Sequence, residues 1–396
     1  MAHAAVAVNL TTPVNFAVTE GGSASISIPI QVVRGLAGME PQLSLSYSSG
    51  AGNGLLGIGW TLTGPSAITR CPKNRVTDGV RGAVTFGPGD RYCLDGQRLE
   101  IISPANGNVD GIYGSDGTEY RTERDSFSRI KAYGNSTREP TTPDRFTVET
   151  KSGLILEFGR DANSRVTTKG RITARFPFWV ETIKRWMLQR ISDRQPNGGN
   201  FVEFSYCGGE VSADGVTCTS TEGTSPPAGT APWSGSKVLH YIRYTNHDGA
   251  INGEYGVVVR YENRPDRVQG FHAGTAARQT QRIVGIDTYR NFSGPSTGQL
   301  VRSYNIAYEA LVNTTGGSIR ATNTSRIQSI TEGAMDYAVD PAVLRTLPPV
   351  VFSLAPDSVF GSGVVKQWEA ATVATPREPS ECDGVNPRLR MKQECP

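Results

Sequence analysis

Apolar and polar residues alternate with a period of two over long parts of the chain. Between residues 26 and 32, and again between residues 43 and 47, every second residue is apolar and the intervening residues are mostly serine or glutamine. Successive side chains of a strand point to opposite faces, so this pattern predicts half-buried β-strands. Pro29 has no backbone N–H to donate, and we therefore predict that its strand lies at a sheet edge.

Many of these segments come in pairs that are separated by short polar turns. Asp95 and Gly96 form a tight-turn pair between two such segments. The paired segments are residues 91–94 with 98–101, 146–150 with 154–158, 185–194 with 201–206, 238–244 with 257–261, and 283–289 with 301–308. The pattern predicts an all-β fold, a long antiparallel meander of hairpins in a shell-like curved sheet.

Helical periodicity is scarce. Residues 179–191 are compatible with a short helix, but their β-branched and aromatic residues and their hairpin context favour a strand. The 45 glycines and 24 prolines also interrupt regular elements often. We expect very little helix, below about 10 % of the chain.

Composition and charge exclude several classes of protein. Hydrophobic residues make up 37 % of the chain, which is enough for a core, and the formal net charge is +3 with no block of like charges. We therefore expect no nucleic-acid partner. No apolar run reaches the length of a membrane span. Residues 1–12 lack the basic and apolar regions of a signal peptide, which leaves three alternatives open: a removed signal, another export route, or a cytosolic chain.

The six cysteines fall into three close pairs. These candidate disulfides are Cys71 with Cys93, Cys207 with Cys218, and Cys382 with Cys395. Free buried thiols and a metal site are the alternatives, but zinc usually requires closer cysteine spacing or nearby histidines. An even number of cysteines in local pairs favours disulfides and an oxidising destination.

A glycine-rich segment matches the pattern of a dinucleotide-binding turn. Gly52, Gly54 and Gly57 have the G-x-G-x-x-G spacing, and Asp78 follows at about the distance of a ribose-binding acid. The pattern requires a helix directly afterwards, because the helix N-terminus holds the pyrophosphate. Residues 58–64 contain two glycines and two threonines and are poor helix formers. We predict a glycine-rich strand turn and no cofactor.

No constellation of residues predicts catalysis. The histidines His3, His240, His247 and His272 are scattered. Aspartates that precede glycine, such as Asp95 and Asp116, are typical of turns rather than calcium sites. Isolated tryptophans in a β-rich chain are more often core residues than sugar platforms; they are Trp60, Trp179, Trp186, Trp233 and Trp368.

A series of short motifs occurs along the chain in a fixed order. The motifs are residues 27–30, 35–41, 43–48, 52–60, 68–72, 78–82, 90–99, 261–266 and 325–330. This series resembles a known family, the SpvB-type N-terminal domain, which also occurs in the B component (TcB) of insecticidal toxin complexes. The resemblance covers about residues 12–356, and the order of the motifs is far more specific than any one of them.

The resemblance implies a non-catalytic structural module of a secreted toxin or virulence protein. Such a module contributes to a β-shell of the Rhs/Tc type, or aids secretion of a toxic partner. Its expected partners are an Rhs-repeat, TcC-like chain or downstream FG-GAP or Rhs domains. The family's separate ADP-ribosyltransferase part needs a Glu-x-Glu pair, and no glutamate here is followed by another two residues later. We therefore expect no enzyme activity.

These observations divide the chain into three segments. Residues 1–12 form a loosely attached N-terminus, residues 13–356 the SpvB-like domain, and residues 357–396 a proline-interrupted, mobile tail. We expect synthesis in the bacterial cytoplasm and a final location outside the cell. The alternative function is an extracellular module that binds glycans or a receptor through exposed aromatic residues.

Overall fold

The structure is a computed structural model that describes most of the β-rich region. The described residues are 11–87, 89–102, 113–134, 142–170, 180–194, 199–220, 237–247, 253–272, 275–309 and 324–352. The sheets lie in one compact unit, Met1–Val312 with Asn323–Val351. The predicted tail, with Cys382 and Cys395, lies outside the described residues, so the predicted division into three segments stays a prediction.

The elements follow one another as short strands in the first half and long strands in the second. The first strands are β1 (Asn15–Val18), β2 (Ala24–Pro29), β3 (Ser44–Ser48), β4 (Asn53–Gly54), β5 (Gly57–Ile58), β6 (Trp60–Thr63) and β7 (Ala67–Cys71), followed by the helical turn α1 (Arg75–Asp78). Next come β8 (Arg91–Leu94), β9 (Gln97–Ile101), β10 (Glu119–Thr122), β11 (Arg129–Tyr133), β12 (Arg145–Glu149), β13 (Ile155–Phe158), β14 (Arg165–Gly170) and β15 (Val180–Ser192). The last are β16 (Asn200–Cys207), β17 (Gly209–Val211), β18 (Cys218–Ser220), β19 (Val238–His247), β20 (Tyr255–His272), β21 (Thr275–Gly294), β22 (Thr297–Tyr308), β23 (Ile327–Asp336), β24 (Val343–Thr346) and β25 (Val350–Val351). Two 3₁₀ turns lie at Leu36–Gly38 and Ala162–Ser164.

The predicted fold class is confirmed: 59 % of the described residues are in strands and 4 % are helical. The segment that was compatible with a helix forms β15, as its β-branched and aromatic residues predict. The tight turn is confirmed as well, since Asp95 and Gly96 both have positive φ between β8 and β9. All strand pairings in the described residues are antiparallel, as expected for a meander of hairpins.

The four-stranded sheet has the order β1–β2–β3–β6, so the prediction that Pro29 lies in an edge strand is wrong. The pairing of β1 with β2 ends at Asn15 opposite Ser27, before Pro29 is reached. The Ile30 N–H donates to the Leu43 oxygen of the segment before β3. Successive amides alternate in direction, so the nitrogen of Pro29 faces the side where β1 has already ended. An inner strand therefore accommodates the proline without losing a ladder bond.

A second set of strands closes on itself, and we call it the closed sheet. Its pairings run from β7 through β8, β9, β10, β11, β12, β13 and β15 back to β7. Aromatic rings fill its interior: Trp186 lies edge-on to Tyr92 and Phe146, with ring centroids 5.2 and 5.1 Å apart. All three side chains are almost completely buried. Closure leaves these strands without free ladder edges along their paired lengths.

The remaining long strands continue from β15 as an open meander, which we call the meander sheet. Its order is β15–β16–β19–β20–β21–β22–β23, and β24 and β25 both pair with β23. Val257, Val258 and Val259 on β20 are consecutive and fully buried, so both faces are covered there. The segment between β2 and β3 covers one face, where the Tyr244 hydroxyl donates to the Val33 oxygen.

Candidate functional site

The most connected polar site lies where the glycine-rich β4–β5 hairpin meets the meander sheet. We call it the junction, and it consists of Asn53, Arg264, Asp266 and Ser325. Arg264 is 1 % exposed and binds Asp266 through two donors, Nε to Oδ1 at 3.1 Å and Nη2 to Oδ2 at 3.0 Å. Arg264 also donates to the Asn53 Oδ1 at 2.7 Å and to the Gly54 oxygen at 3.2 Å. One guanidinium therefore joins chain segments about 210 residues apart.

On its other side, the Asp266 carboxylate binds Ser325, which lies in the segment before β23. The Ser325 N–H donates to Oδ2 at 2.5 Å and its hydroxyl donates to Oδ1, while Asn53 Nδ2 donates to Oδ2 at 3.0 Å. Burial alone raises the pKa of Asp266, but the hydrogen bonds from Arg264, Ser325 and Asn53 outweigh burial and hold this pKa well below its ordinary value. The carboxylate is therefore fixed in its charged form and acts as a structural acceptor.

The glycine-rich hairpin fits this junction because it has almost no side chains there. Gly57 has φ +83°, and a Cβ at this position would lie 2.3 Å from the Ser325 oxygen. The same Ser325 oxygen accepts the Ile58 N–H at 2.9 Å, and the Ile283 N–H of β21 donates to the Leu55 oxygen at 2.8 Å. Glycine is thus required at residue 57 both for its backbone conformation and for close approach to another segment.

A second buried guanidinium organises the closed sheet. Arg70 donates to Asp90 at 3.1 Å, to Thr142 at 2.7 Å and to Thr182 at 3.0 Å. It also donates to the Ile183 oxygen at 2.8 Å and to the Gly87 oxygen at 3.1 Å. These partners occupy all the donor groups of the side chain. Like Arg264, Arg70 is therefore engaged in holding strands together.

Asp78, the acid that the dinucleotide-binding pattern indicated, forms hydrogen bonds with residues of the protein itself. Asp78 lies on α1 and accepts hydrogen bonds from Arg91 at 2.8 Å and Arg98 at 2.6 Å. Burial raises the pKa of Asp78, but the Asn74 backbone, Arg98 and Arg91 lower it by more. The glycine-rich segment forms the β4–β5 hairpin and leads into strand β6, as predicted, with no helix directly after it.

The histidines and tryptophans in the described residues have ordinary structural surroundings. His240 is buried with its Nε2 2.8 Å from the Gly215 oxygen, and burial lowers its pKa more than this bond raises it. His247 Nδ1 lies 3.1 Å from Asn200 Oδ1. Trp60 and Trp186 are both core residues, 5 % and 0 % exposed. The side chains of His3, His272, Trp179, Trp233 and Trp368 lie outside the described residues.

Two of the three candidate cysteine pairs lie close together. Cys71 and Cys93 join β7 to β8 with their Cα atoms 5.9 Å apart, and Cys207 and Cys218 join the end of β16 to β18 with a separation of 5.7 Å. Both distances are below the limit of about 7 Å for a bridge, and the structure contains both bonds. The third pair, Cys382 with Cys395, stays a prediction.

The roles of Arg70, Arg264 and Asp266 were not predicted from the sequence. A signal was present at residues 264 and 266, because two charged residues flank Pro265 shortly after the predicted strand 257–261. Such a break in the pattern marks either a bulge or a polar site, and the pairing of β20 with β21 does shift between Asn263 and Val268. The sequence contains no local indication of their partners, which lie far away along the chain.

Two further searches cover only the residues that the structure describes. Within these ranges, no helix is long and apolar enough to cross a membrane. Nor do the described side chains include a group of three or more His, Cys, Asp or Glu that could hold a metal ion.

The fold and the junction together define a class: a β-rich scaffold in which buried charges tie distant strands to one another. The family model described as Salmonella virulence plasmid 65kDa B protein, or SpvB, matches residues 18–263. The chain belongs to this family. A comparison with curated proteins gives no match.

Solved structures share the fold at low sequence identity. A crystal structure of TcdB2-TccC3-TEV has a TM-score of 0.62 at 17 % identity, covering 89 % of this chain and 17 % of the other. The Photorhabdus luminescens Tc holotoxin pore has a TM-score of 0.60 at 18 % identity, covering 87 % and 16 %. The N-terminal domain of effector protein SpvB from Salmonella typhimurium strain LT2 has a TM-score of 0.53 at 16 % identity, covering 78 % and 100 %. The chain thus spans about a sixth of the TcdB2-TccC3 chains it matches.

Proposed function

We propose that the chain is a non-catalytic structural module of a secreted toxin or virulence protein. It contributes strands to a β-shell that encloses a toxic partner, or it aids secretion of that partner. The observation that supports this proposal is that the buried charged side chains bind other segments of the protein. Arg70, Arg264 and Asp266 bind backbone and side chains of distant segments, which is the chemistry of a rigid frame.

The similar structures support a particular kind of partner. They include TcdB2-TccC3 and a Tc holotoxin pore. We infer that this chain works with an Rhs-repeat, TcC-like chain or with downstream FG-GAP or Rhs domains. This chain spans only about a sixth of the matched chains. We infer that it begins or supports a larger sheet.

Strand edges at both ends of the described region are suited to such a contact. Among the described residues, β1 pairs only with β2, and its Phe16 and Val18 are 69 % and 64 % exposed. Within the same ranges β25 pairs only with β23, and its Val351 is 65 % exposed. Unpaired edges with apolar side chains are templates for further strands. We propose that a strand of the shell partner adds to the β24–β25 edge.

Co-expression with an Rhs-repeat, TcC-like chain tests this proposal. We expect the two chains to co-purify and the partner's toxic region to resist protease only in the complex. Val351→Lys should weaken co-purification, since a charge on the apolar edge opposes strand addition. Val76→Lys is the matched control, because Val76 is 95 % exposed on α1. No complex in the wild type, or equal loss in both variants, would contradict the proposal.

The proposed location outside the cell rests on the family and on the two disulfides. Bridges of this kind persist in oxidising compartments. We expect the chain to appear in the culture medium when it is expressed with its partner, and cell-bound protein with free thiols would argue against this location.

The alternative, a surface that binds glycans or a receptor, has less support. Sugar platforms use exposed aromatic faces, and the two described tryptophans are buried. The large exposed aromatic side chains of the described region are Phe16, Phe127, Phe271 and Tyr337. Saturable binding on a glycan array that is lost with Phe271→Ala would favour this alternative.

A further inference from the structure

A cavity of about 360 Å³ lies between the closed sheet, β6, the β4–β5 hairpin and the meander sheet. Its wall is largely apolar and includes Met187 of β15, Leu239 of β19 and Ile283 of β21. The volume is at the lower end of the range that small-molecule sites occupy. The cavity is separate from the junction, whose charged side chains do not line it.

Arg185 in this wall differs from the buried arginines Arg70 and Arg264. It lies next to Trp186 on β15, and Trp186 points into the closed sheet, so Arg185 points the other way and lines the cavity. The Arg185 side chain is exposed to solvent, although the protein atoms packed around it lower its pKa. Among the described residues, no carboxylate forms an ion pair with Arg185, whereas Arg70 and Arg264 each have an aspartate.

The other charged and phenolic groups of the wall have partners within the protein. Asp95 accepts from the Ser66 hydroxyl at 2.6 Å and from the Ala67 N–H at 3.0 Å. The Tyr261 hydroxyl donates to the Leu239 oxygen at 2.7 Å, and Lys237 donates to the Ala162 oxygen at 2.6 Å. Arg185 is thus the charged group in the wall that has donors available to an anionic ligand.

We propose that this cavity binds a small organic monocarboxylate with an apolar body. The carboxylate pairs with the guanidinium of Arg185 in a bidentate arrangement, and the apolar part packs against Met187, Leu239 and Ile283. A planar carboxylate matches the fork of one guanidinium. A phosphate dianion carries more charge and would need more donors than this wall offers, so the carboxylate is the better fit. This site does not depend on the proposed shell function.

Isothermal titration of the full chain with 3-phenylpropionate tests the proposal. We expect one saturable site, and 3-phenylpropanol, a neutral compound of similar shape, should bind at least about tenfold more weakly because it cannot form the charged pair. Arg185→Met should weaken the binding of the acid by about tenfold or more and leave the binding of the alcohol nearly unchanged. Arg345→Met is the matched control, because Arg345 lies on β24, away from the cavity, and should bind like the wild type.

A melting curve separates loss of binding from loss of fold. Because the charge of Arg185 has no acidic partner, Arg185→Met should melt at the wild-type temperature or higher in the absence of ligand. Only the wild type and Arg345→Met should gain melting temperature with 3-phenylpropionate. Absence of saturable binding, equal affinity of acid and alcohol, or unchanged affinity in a folded Arg185→Met variant would each overturn the proposal.

Discussion

The closed sheet and the meander sheet share β15 but are stabilised in different ways. The closed sheet returns to its first strand and surrounds an aromatic core around Trp186. The meander sheet ends at β24 and β25, which expose Val343, Leu344 and Val351. A sheet that closes satisfies its own edges, whereas an open one depends on neighbouring segments. The closed sheet therefore has fewer free edges among the described strands, and the open edge of the meander sheet is where the proposed partner strand would add.

The two buried arginine–aspartate pairs show the same difference. Arg70 and Asp90 are 20 residues apart, and the partners of Arg70 all lie within the strands and loops of the closed sheet. Arg264 and Asp266 are only two residues apart in the chain, but they bind Asn53 and Ser325, which lie far before and far after them in the sequence. The hydrogen bonds of Arg70 therefore connect strands within the closed sheet, whereas those of Arg264 and Asp266 connect the meander sheet to the β4–β5 hairpin.

The largest effect is expected in the core of the closed sheet. Trp186→Ala removes a fully buried ring and the hydrogen bond from its Nε1 to the Pro143 oxygen at 3.0 Å. We expect the free energy of unfolding to fall by about 3–5 kcal/mol in denaturant titrations. Phe127→Ala is the control, because Phe127 is 68 % exposed and its loss should change stability by less than about 0.5 kcal/mol. Similar losses in both variants would show that the closed sheet does not dominate stability.

The second effect concerns the junction. Asp266→Ala leaves Arg264 buried without its counter-charge and should destabilise the fold by about 3 kcal/mol. The loss should be local: hydrogen exchange should accelerate at the amides of Ile58 and Ser325 and stay unchanged at Ile130 in the closed sheet. Asp336→Ala, which removes a solvent-exposed pair with Arg345, should leave the stability of the fold nearly unchanged. If hydrogen exchange accelerated equally in the closed sheet and the meander sheet, the two sheets would not be stabilised in different ways.

The disulfides give the next effect, and they fall one in each region. Replacing Cys71 and Cys93, 22 residues apart, by serine should cost about 3 kcal/mol, and replacing Cys207 and Cys218, 11 residues apart, slightly less. Peptide mapping without reductant should find both pairs, and denaturant titration measures the two losses. If only free thiols were found, the cysteines would no longer support an oxidising destination for the protein.

The smallest effect is a pH dependence that arises from β15, the strand that both sheets share. Burial, and secondarily the charge of Arg185, lower the pKa of Lys184 from 10.5 to about 8. Above pH 8 the folded state therefore releases a proton that the unfolded chain keeps, so stability should rise with pH by about 1 kcal/mol between pH 7 and 9.5. The measurement ends at pH 9.5 because burial raises the pKa of Tyr206. At higher pH the unfolded chain loses tyrosine protons that the folded state keeps, so stability then falls as the pH rises.

The substitution Lys184→Met isolates this contribution. It should flatten the rise in stability between pH 7 and 9.5, while Lys151→Met, at an exposed turn, should leave the slope as in the wild type. A slope that persists in Lys184→Met would assign the pH dependence to other groups.

The sequence by itself determined the local structure, the strand class and the family. Alternation between residues 43 and 47, and the tight turn at Asp95 and Gly96, depend only on neighbouring residues, and the structure has both. The ordered motifs likewise identified the family because each is short and contiguous. The cysteine pairs were also apparent, since their members lie 22 and 11 residues apart.

Only the tertiary structure decided how the strands associate. The return of β15 to β7, the inner position of Pro29 and the reach of Arg264 to Asn53 all join residues that are far apart in the chain. A period of two indicates that a residue lies in a strand and which residues share a face, but it does not specify the neighbouring strand. Partner choice is set by packing and by the need to pair every buried charge, and both depend on the whole fold.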